Sequence, residues 1–164
     1  MPEITPFGWF HTLMGVIALL SGFYALVKHK VIGSGNLSGI IYLLSTLLAA
    51  ASALGIYKHG GFGVAHALAV LTLLALAAGG LSEKTRILGK LSPYAQAMFY
   101  SATLLFHMIP AITDGLMRLP VGDPVVTDIE DPLLKTFYLV FLIAYVAGFA
   151  FQVLWLRKHN GDRN

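Results

Sequence analysis

Three histidines, His11, His66 and His107, are the residues of this sequence best suited to chemistry. His11 lies five residues after Pro6, His66 five after Gly61 and His107 seven before Asp114, where these three reference residues mark the predicted membrane boundary. At ~1.5 Å per residue, their imidazoles would sit roughly 7 to 10 Å below the same boundary of a membrane. Imidazole is the commonest metal ligand in proteins and an axial ligand of haem iron. The spacing therefore predicts a histidine layer that binds haem b or a single transition-metal ion, with His66 and His107 as first-choice ligands, followed by His11.

The apolar segment that carries His107 also carries a stripe of polar residues. Its members advance by three or four residues, which keeps them near one face of a helix. The stripe consists of Gln96, Tyr100, Thr103, His107, Ala111, Asp114 and Arg118. In a haem site, Tyr100 or Thr103 would orient an imidazole, and Arg118 or Lys58 would lie near the haem propionates. Asp114 would be a fourth metal ligand or a proton acceptor.

Each of these side chains also has a simpler interpretation. A neutral histidine can donate a hydrogen bond to a carbonyl or a serine on a neighbouring helix and only hold the bundle together. Asp114 and Arg118, at positions i and i+4, would form a salt bridge near water. A quinone-binding site is a further alternative, and it requires a cleft that opens to lipid beside His107 and Asp114.

The composition places the chain outside the soluble globular class. Of its 164 residues 57% are hydrophobic and 12% are charged, and the mean hydropathy is +0.75, which is typical of a membrane protein. The sequence has no cysteine, so disulfides, thiolate-ligated iron–sulfur clusters and cysteine-containing zinc sites are excluded. The motifs HExxH, GxxxxGK[ST] and GxSxG are absent, so hydrolase and nucleotide-binding functions have no support.

Five apolar segments are each close to the ~20 residues that a helix needs to cross the hydrocarbon core of a membrane. They span residues 9–27, 37–57, 61–81, 95–117 and 133–156. Short links make sequential helices antiparallel neighbours. The sequence therefore predicts an all-α integral membrane bundle of five transmembrane helices, with up-and-down topology, in a single domain over residues 1–164.

Basic residues concentrate on one side of this predicted bundle, and acidic residues on the other. The basic side contains Lys28, Lys30, Lys84, Arg86, Lys90, Arg157, Lys158 and Arg163. By the positive-inside rule, the basic side is predicted to be cytoplasmic, which puts the N-terminus outside the membrane and the C-terminus inside. The net charge of +3 is small and gives no support to nucleic-acid binding.

The segment 118–132 is the longest external link of the predicted bundle. Its prolines and acidic residues argue against a further helix. Because it would be exposed outside the membrane, this loop is a candidate docking surface for a periplasmic partner or for a larger membrane complex.

Small and polar residues at helical spacing predict which helix faces are buried, because small residues let the backbones of membrane helices approach closely. The first helix carries His11, Gly15, Ala18, Gly22 and Ala25 on one face. The second carries Ser38, Tyr42, Ser45, Ala49 and Ser52, and the fifth carries Tyr138, Tyr145 and Gln152.

The first half of the chain carries two stretches with a family resemblance. They are FHTLMGVIALLSGFYALVKHK and GNLSGIIYLLSTLLAAASALGIYKHGGFGVAHALAVLTLLALAAG. They resemble a family of small bacterial inner-membrane proteins of unknown function, whose pattern is matched by His11, Gly15, Gly22, Lys28, Gly39 and Tyr42. Asn36 and Leu37 stand where that pattern has a His-Arg pair. The resemblance implies a multi-helix inner-membrane protein and brings no activity with it.

Two functional hypotheses follow from the sequence. In the first, the histidine layer binds its cofactor near the periplasmic face and serves electron transfer or other redox chemistry. In the second, the chain is a non-catalytic accessory or assembly subunit of a larger membrane complex, which its small size and its lack of a catalytic motif would suit.

Overall fold

The computed structural model describes residues 5–57 and 61–161, and the regular structure in these ranges is entirely helical. The helices are α1 (Pro6–His29), α2 (Leu37–Ala53), α3 (Val64–Thr85), α4 (Ser92–Arg118) and α5 (Pro132–Gly161), with a 3-10 turn at Gly89–Leu91 before α4. The predicted all-α, five-helix fold is confirmed. The two termini, with Arg163, and residues 58–60, with Lys58, lie outside the described residues.

Four of the described helices, α1, α3, α4 and α5, are long and apolar enough to cross a membrane. The exception is α2, whose 17 residues extend about 25 Å at ~1.5 Å per residue. It ends at Ala53, four residues before its predicted boundary, because the chain turns there. The amide of Gly55 donates to the carbonyl of Ser52 at 3.0 Å, and glycine is a poor helix former.

The helices α1, α4 and α5 extend beyond the predicted apolar segments, whereas α3 begins three residues later and ends four residues later than predicted. In α1, both added ends are capped. The Thr5 hydroxyl accepts a hydrogen bond from the Gly8 amide at 3.1 Å at the start of α1. At its end, Lys30 adopts a left-handed conformation with φ 67° and donates its amide to the Leu26 carbonyl. Hydropathy located the apolar centre of each helix and missed the capped turns.

The first four helices surround a common core, and α5 packs on the outside of it. The closest pairs are α1 with α2 and α3 with α4, while α2 also contacts α3 and α1 also contacts α4. The core contains Ala18, Ala25, Ile32, Tyr42, Tyr100 and Leu104. Because α5 packs mainly against α4, most of its apolar surface is exposed.

The predicted buried faces are largely confirmed. On α1, the residues Ala18, Gly22 and Ala25 are buried, whereas His11 and Gly15 are half-buried. On α2, all members of the predicted face except Ser38 are buried. The three polar residues of α5 all bond to α4, Tyr138 to Thr113, Tyr145 to the Met98 carbonyl and Gln152 to Ser101.

The stripe on α4 follows the prediction only in its first half. Tyr100 and Thr103 are buried and His107 is half-buried, but Ala111 and Asp114 are exposed. The helix continues without a break through Pro110. The loop that follows, residues 119–131, contains no helix, as its composition predicted.

Gly22 lets α1 and α2 approach closely, because the Tyr42 ring lies where a side chain would begin. A Cβ atom at this position would be 2.7 Å from both Cδ2 and Cε2 of Tyr42 and 3.1 Å from Leu104 Cδ1. At Gly15, two turns earlier on the same helix, a Cβ would meet no heavy atom within 4 Å. The two glycines therefore form a matched pair for testing this packing.

We expect Gly22→Ala to destabilise the folded protein by about 1 to 3 kcal/mol, because overpacking forces the Tyr42 ring from its position. Gly15→Ala should leave stability unchanged or raise it by up to about 1 kcal/mol, since alanine is the better helix former. Reversible unfolding in mixed detergent, followed by circular dichroism, measures both. Equal stability of the two variants would contradict this account of the α1–α2 contact.

Candidate functional site

Two of the three predicted histidines, His11 and His107, lie together against α2. The Nδ1 atom of His11 is 2.9 Å from the Ala49 carbonyl oxygen and 3.2 Å from the Ser52 hydroxyl. The Nε2 atom of His107 is 3.1 Å from the Thr46 hydroxyl. Thr46 and Ala49 share one face of α2 because they are three residues apart. The two imidazoles therefore contact neighbouring positions on the same face of α2.

The contacts of His11 determine which of its ring nitrogens carries the proton. A carbonyl oxygen only accepts hydrogen bonds, so Nδ1 of His11 must be the donor to Ala49. In the neutral ring, Nε2 then keeps its lone pair, and among the described residues it has no hydrogen-bond partner. A histidine whose Nδ1–H is held by a backbone carbonyl while Nε2 is available is the usual arrangement at metal centres.

His107 is oriented by residues of α2, and Tyr100 plays no part in this. Besides the bond to Thr46, the ring of Tyr42 meets the imidazole edge to face, with the two ring centres 6.5 Å apart. The hydroxyl of Tyr42 is 2.6 Å from the Thr103 hydroxyl. Sequence reasoning missed Thr46, although it lies one helical turn from Tyr42 on the face of α2 predicted to be buried.

His66 lies in a separate environment at the start of α3. Its ring contacts those of Tyr57 and Phe62, with centre-to-centre distances of 4.7 Å and 5.2 Å. The Gly63 amide donates to Nδ1 of His66 at 3.1 Å, so the proton of the neutral ring is on Nε2. His66 is only 4% exposed, and its Nε2 is the one buried side-chain polar atom of the described residues without a hydrogen-bond partner.

The three histidines therefore differ in what they offer a ligand. His11 presents a lone pair at Nε2, whereas His66 presents a buried N–H donor at the same ring position. In the described ranges, no three His, Cys, Asp or Glu side chains are grouped so that they could hold a metal ion. The site with three histidine ligands stays a prediction, and the geometry favours His11 over His66 as the partner of His107.

The supporting residues predicted on α4 have other contacts. Arg118 Nε lies 3.5 Å from Asp114 Oδ1, so the i, i+4 salt bridge is confirmed. The hydroxyl of Tyr100 donates a hydrogen bond to Glu83 Oε2 at 2.9 Å. It therefore points towards the basic end of the bundle and away from His107. Thr46 takes the orienting role that the sequence suggested for Tyr100.

The quinone alternative requires a cleft beside His107 and Asp114. The described residues form a groove on α4 between α1 and α5, with a volume of about 210 Å³. Its lining includes Leu104, Leu105 and Met108, but neither His107 nor Asp114 lines it. The groove therefore gives the quinone alternative no imidazole or carboxylate partner.

A second group of polar side chains holds the loop between α1 and α2. Glu83 Oε1 accepts hydrogen bonds from the amide and the hydroxyl of Ser34, at 2.6 Å and 2.9 Å. Gln96 donates to the Ile32 carbonyl at 3.0 Å, and Gln152 donates to the Lys30 carbonyl at 3.0 Å. One side chain each from α3, α4 and α5 thus bonds to the same short loop.

We call this group the basic-end cluster, because the helix ends around it carry most of the basic residues. Glu83 was missed by the sequence analysis. One sequence feature could have identified it, because Glu83 is the one acidic residue in the basic segment SEKTRILGK, residues 82–90. A carboxylate that accepts several hydrogen bonds is a strong connection between elements.

We expect Glu83→Gln to destabilise the folded protein by about 1 to 3 kcal/mol, because one amide oxygen cannot replace two charged acceptors for Ser34 and Tyr100. Mixed-detergent unfolding measures the loss. Combining it with Tyr100→Phe should cost less than the sum of the single changes, because both remove the same hydrogen bond.

Glu130→Gln is the control for this experiment. Glu130 forms an exposed ion pair with Lys135 at 2.8 Å, and surface pairs contribute only about 0 to 1 kcal/mol. A Glu83→Gln variant no less stable than Glu130→Gln would show that the basic-end cluster adds nothing to stability.

We compared the chain with known protein families, curated proteins and solved structures. No family model, no curated protein and no solved structure matches this chain. The resemblance to small bacterial inner-membrane proteins therefore stays a prediction, and the function has to be inferred from the residues themselves.

Proposed function

We propose that this chain is an integral protein of the bacterial inner membrane that binds haem b or a transition-metal ion at His11 and His107 and takes part in electron transfer. The observation that carries the proposal is that the imidazole of His11 on α1 and that of His107 on α4 both pack against one face of α2, and that no described residue bonds to Nε2 of His11. Polar side chains inside membranes are costly, and a pair of them on different helices is a reason to infer function.

The two ligands would bind in different ways. His11 would use Nε2 while its Nδ1–H stays on the Ala49 carbonyl. The Nε2 atom of His107 is the one that contacts Thr46, so His107 would use Nδ1, or Nε2 after leaving Thr46. Imidazole ligands suit copper, iron, zinc and nickel ions. With only two protein ligands, a bound ion would keep positions for water or an external ligand.

The charge distribution supports the orientation of the proposed protein. The ends of α1, α3 and α5 that follow the membrane segments carry Lys28, Lys84 and Arg157, and acidic residues concentrate in the loop between α4 and α5. With the positive-inside rule, the N-terminus is periplasmic and the C-terminus cytoplasmic. The imidazole pair then lies in the periplasmic half of the bundle, where an external electron donor or acceptor can reach it.

We expect purified protein, with any affinity tag removed, to show either a Soret band or a stoichiometric transition metal by elemental analysis. His11→Asn keeps an N–H near the Nδ1 position for Ala49 and removes Nε2. His107→Gln keeps an amide near Nε2 for Thr46 and removes the ring. Each variant should lose the cofactor while the fold is retained, as judged by circular dichroism.

His159→Gln is the matched control, because His159 is exposed on the last turns of α5 and its loss should leave the cofactor bound. His66→Gln tests the third predicted ligand, and retained cofactor would remove His66 from the site. Wild-type protein with neither Soret absorbance nor a stoichiometric metal would end this proposal.

Thr46→Val tests the orientation of His107 separately from ligation. Valine has nearly the same shape and lacks the hydroxyl, so the imidazole loses its hydrogen-bond partner but remains present. Loss of such an orienting partner typically weakens metal binding by about 10 to 100-fold. Titration of the metal-free protein measures the change, and an affinity equal to wild type would show that Thr46 does not position a ligand.

A role as an accessory subunit is the second candidate, and the exposure of α5 favours it. This helix packs mainly against α4 and leaves Leu139, Ile143, Val146 and Leu154 exposed, a surface that another membrane helix would cover. The acidic loop lies at one end of the same helix. A colourless, metal-free protein that stays bound to respiratory subunits after mild detergent extraction would support this role over the redox proposal.

A further inference from the structure

The groove between α1, α4 and α5 is apolar along most of its length and polar at one end. Its walls include Phe23, Leu104, Met108, Phe141 and Phe149. At one end it reaches Lys30, Ser101 and Gln152. There, Gln152 is bonded to the Ser101 hydroxyl and to the Lys30 carbonyl, so the polar atoms of the groove floor are already paired. The groove therefore suits a ligand with an apolar chain along its length and a charged group at its polar end.

The length of the groove corresponds to one leaflet of a membrane. Along α5 it extends from Phe141 to Gln152, which is about 16 Å at ~1.5 Å per residue. Half of a hydrocarbon core ~30 Å thick is about 15 Å. The groove runs from Phe141, at the end of the first third of α5, towards the basic end of the bundle, which is the direction that an acyl chain of the leaflet at that end takes.

The charges at the polar end select the head group. Lys30 donates one hydrogen bond to the Val27 carbonyl at 2.7 Å, and the other N–H bonds of its ammonium group remain for an anion. Lys28 and Arg157 are exposed at the same end of the bundle. We propose that the groove binds an acyl chain of an anionic phospholipid, with the lipid phosphate at Lys30.

Gly148 is a position at which a substitution can change the groove while the helix packing stays the same. It lines the groove, and a Cβ atom there would meet no heavy atom within 4 Å. A leucine at this position would begin in open space and extend into the groove where the acyl chain is proposed to lie. Ala147, the preceding residue, is exposed and is not part of the lining, so Ala147→Leu is the matched control.

The test is lipid selectivity in phosphatidylcholine vesicles that contain a small fraction of spin-labelled lipid. Electron paramagnetic resonance measures how much label is immobilised by the protein. Phosphatidylglycerol should be retained about fivefold over phosphatidylcholine, the effect expected for one lysine near an anionic head group. Lys30→Gln should remove this preference, and Lys30→Arg should keep it. Gly148→Leu should reduce immobilisation of both lipids, whereas Ala147→Leu should not.

Equal retention of the two lipids by the wild type, or no effect of Gly148→Leu, would overturn the proposal. So would a Gly148→Leu change that converts a dimer to a monomer in the same vesicles, since the occupant would then be a second copy of the chain. The measurement involves neither His11 nor His107, so its outcome is independent of the redox proposal.

Discussion

The loop from Lys30 to Ser34 is the connection on which the rest of the structure depends. Its carbonyls and its Ser34 amide bond to Gln152, Gln96 and Glu83, one side chain from each of the three later helices. Ile32 is fully buried, so the bond to its carbonyl is costly to leave unmade, and the charge of the Glu83 carboxylate strengthens its bonds to Ser34. The loop thus sets the relative height of all five helices at the basic end.

The axial positions of the helices at the basic end determine which side chains lie at the same level at the opposite end. A regular helix rises ~1.5 Å per residue, so pinning the ends of α1, α2 and α4 determines the level at which His11 and His107 meet α2. Close packing then brings the helices near enough for contact. Gly22 accommodates Tyr42, and a Cβ at Gly79 would lie 2.5 Å from the Tyr100 ring. The tyrosines that fill these spaces, Tyr42 and Tyr100, also belong to the hydrogen-bond network.

Residue type and depth do not determine the chemistry of an intramembrane histidine, because its partners decide which nitrogen is available. The carbonyl of Ala49 makes Nδ1 of His11 a donor and leaves a lone pair at Nε2. The amide of Gly63 makes Nδ1 of His66 an acceptor and leaves a buried N–H. Two histidines with the same sequence signature therefore present opposite groups to a ligand.

The sequence by itself determined the features that depend on neighbouring residues. Hydropathy located five helices, helical spacing identified the buried sides of α1 and α2, and the i, i+4 rule identified the Asp114–Arg118 salt bridge. Only the tertiary structure decided the partners that lie far apart in the chain. Glu83 with Ser34, and Thr46 with His107, are separated by 49 and 61 residues. Such pairs leave no local pattern, because what joins them is the packing of whole helices.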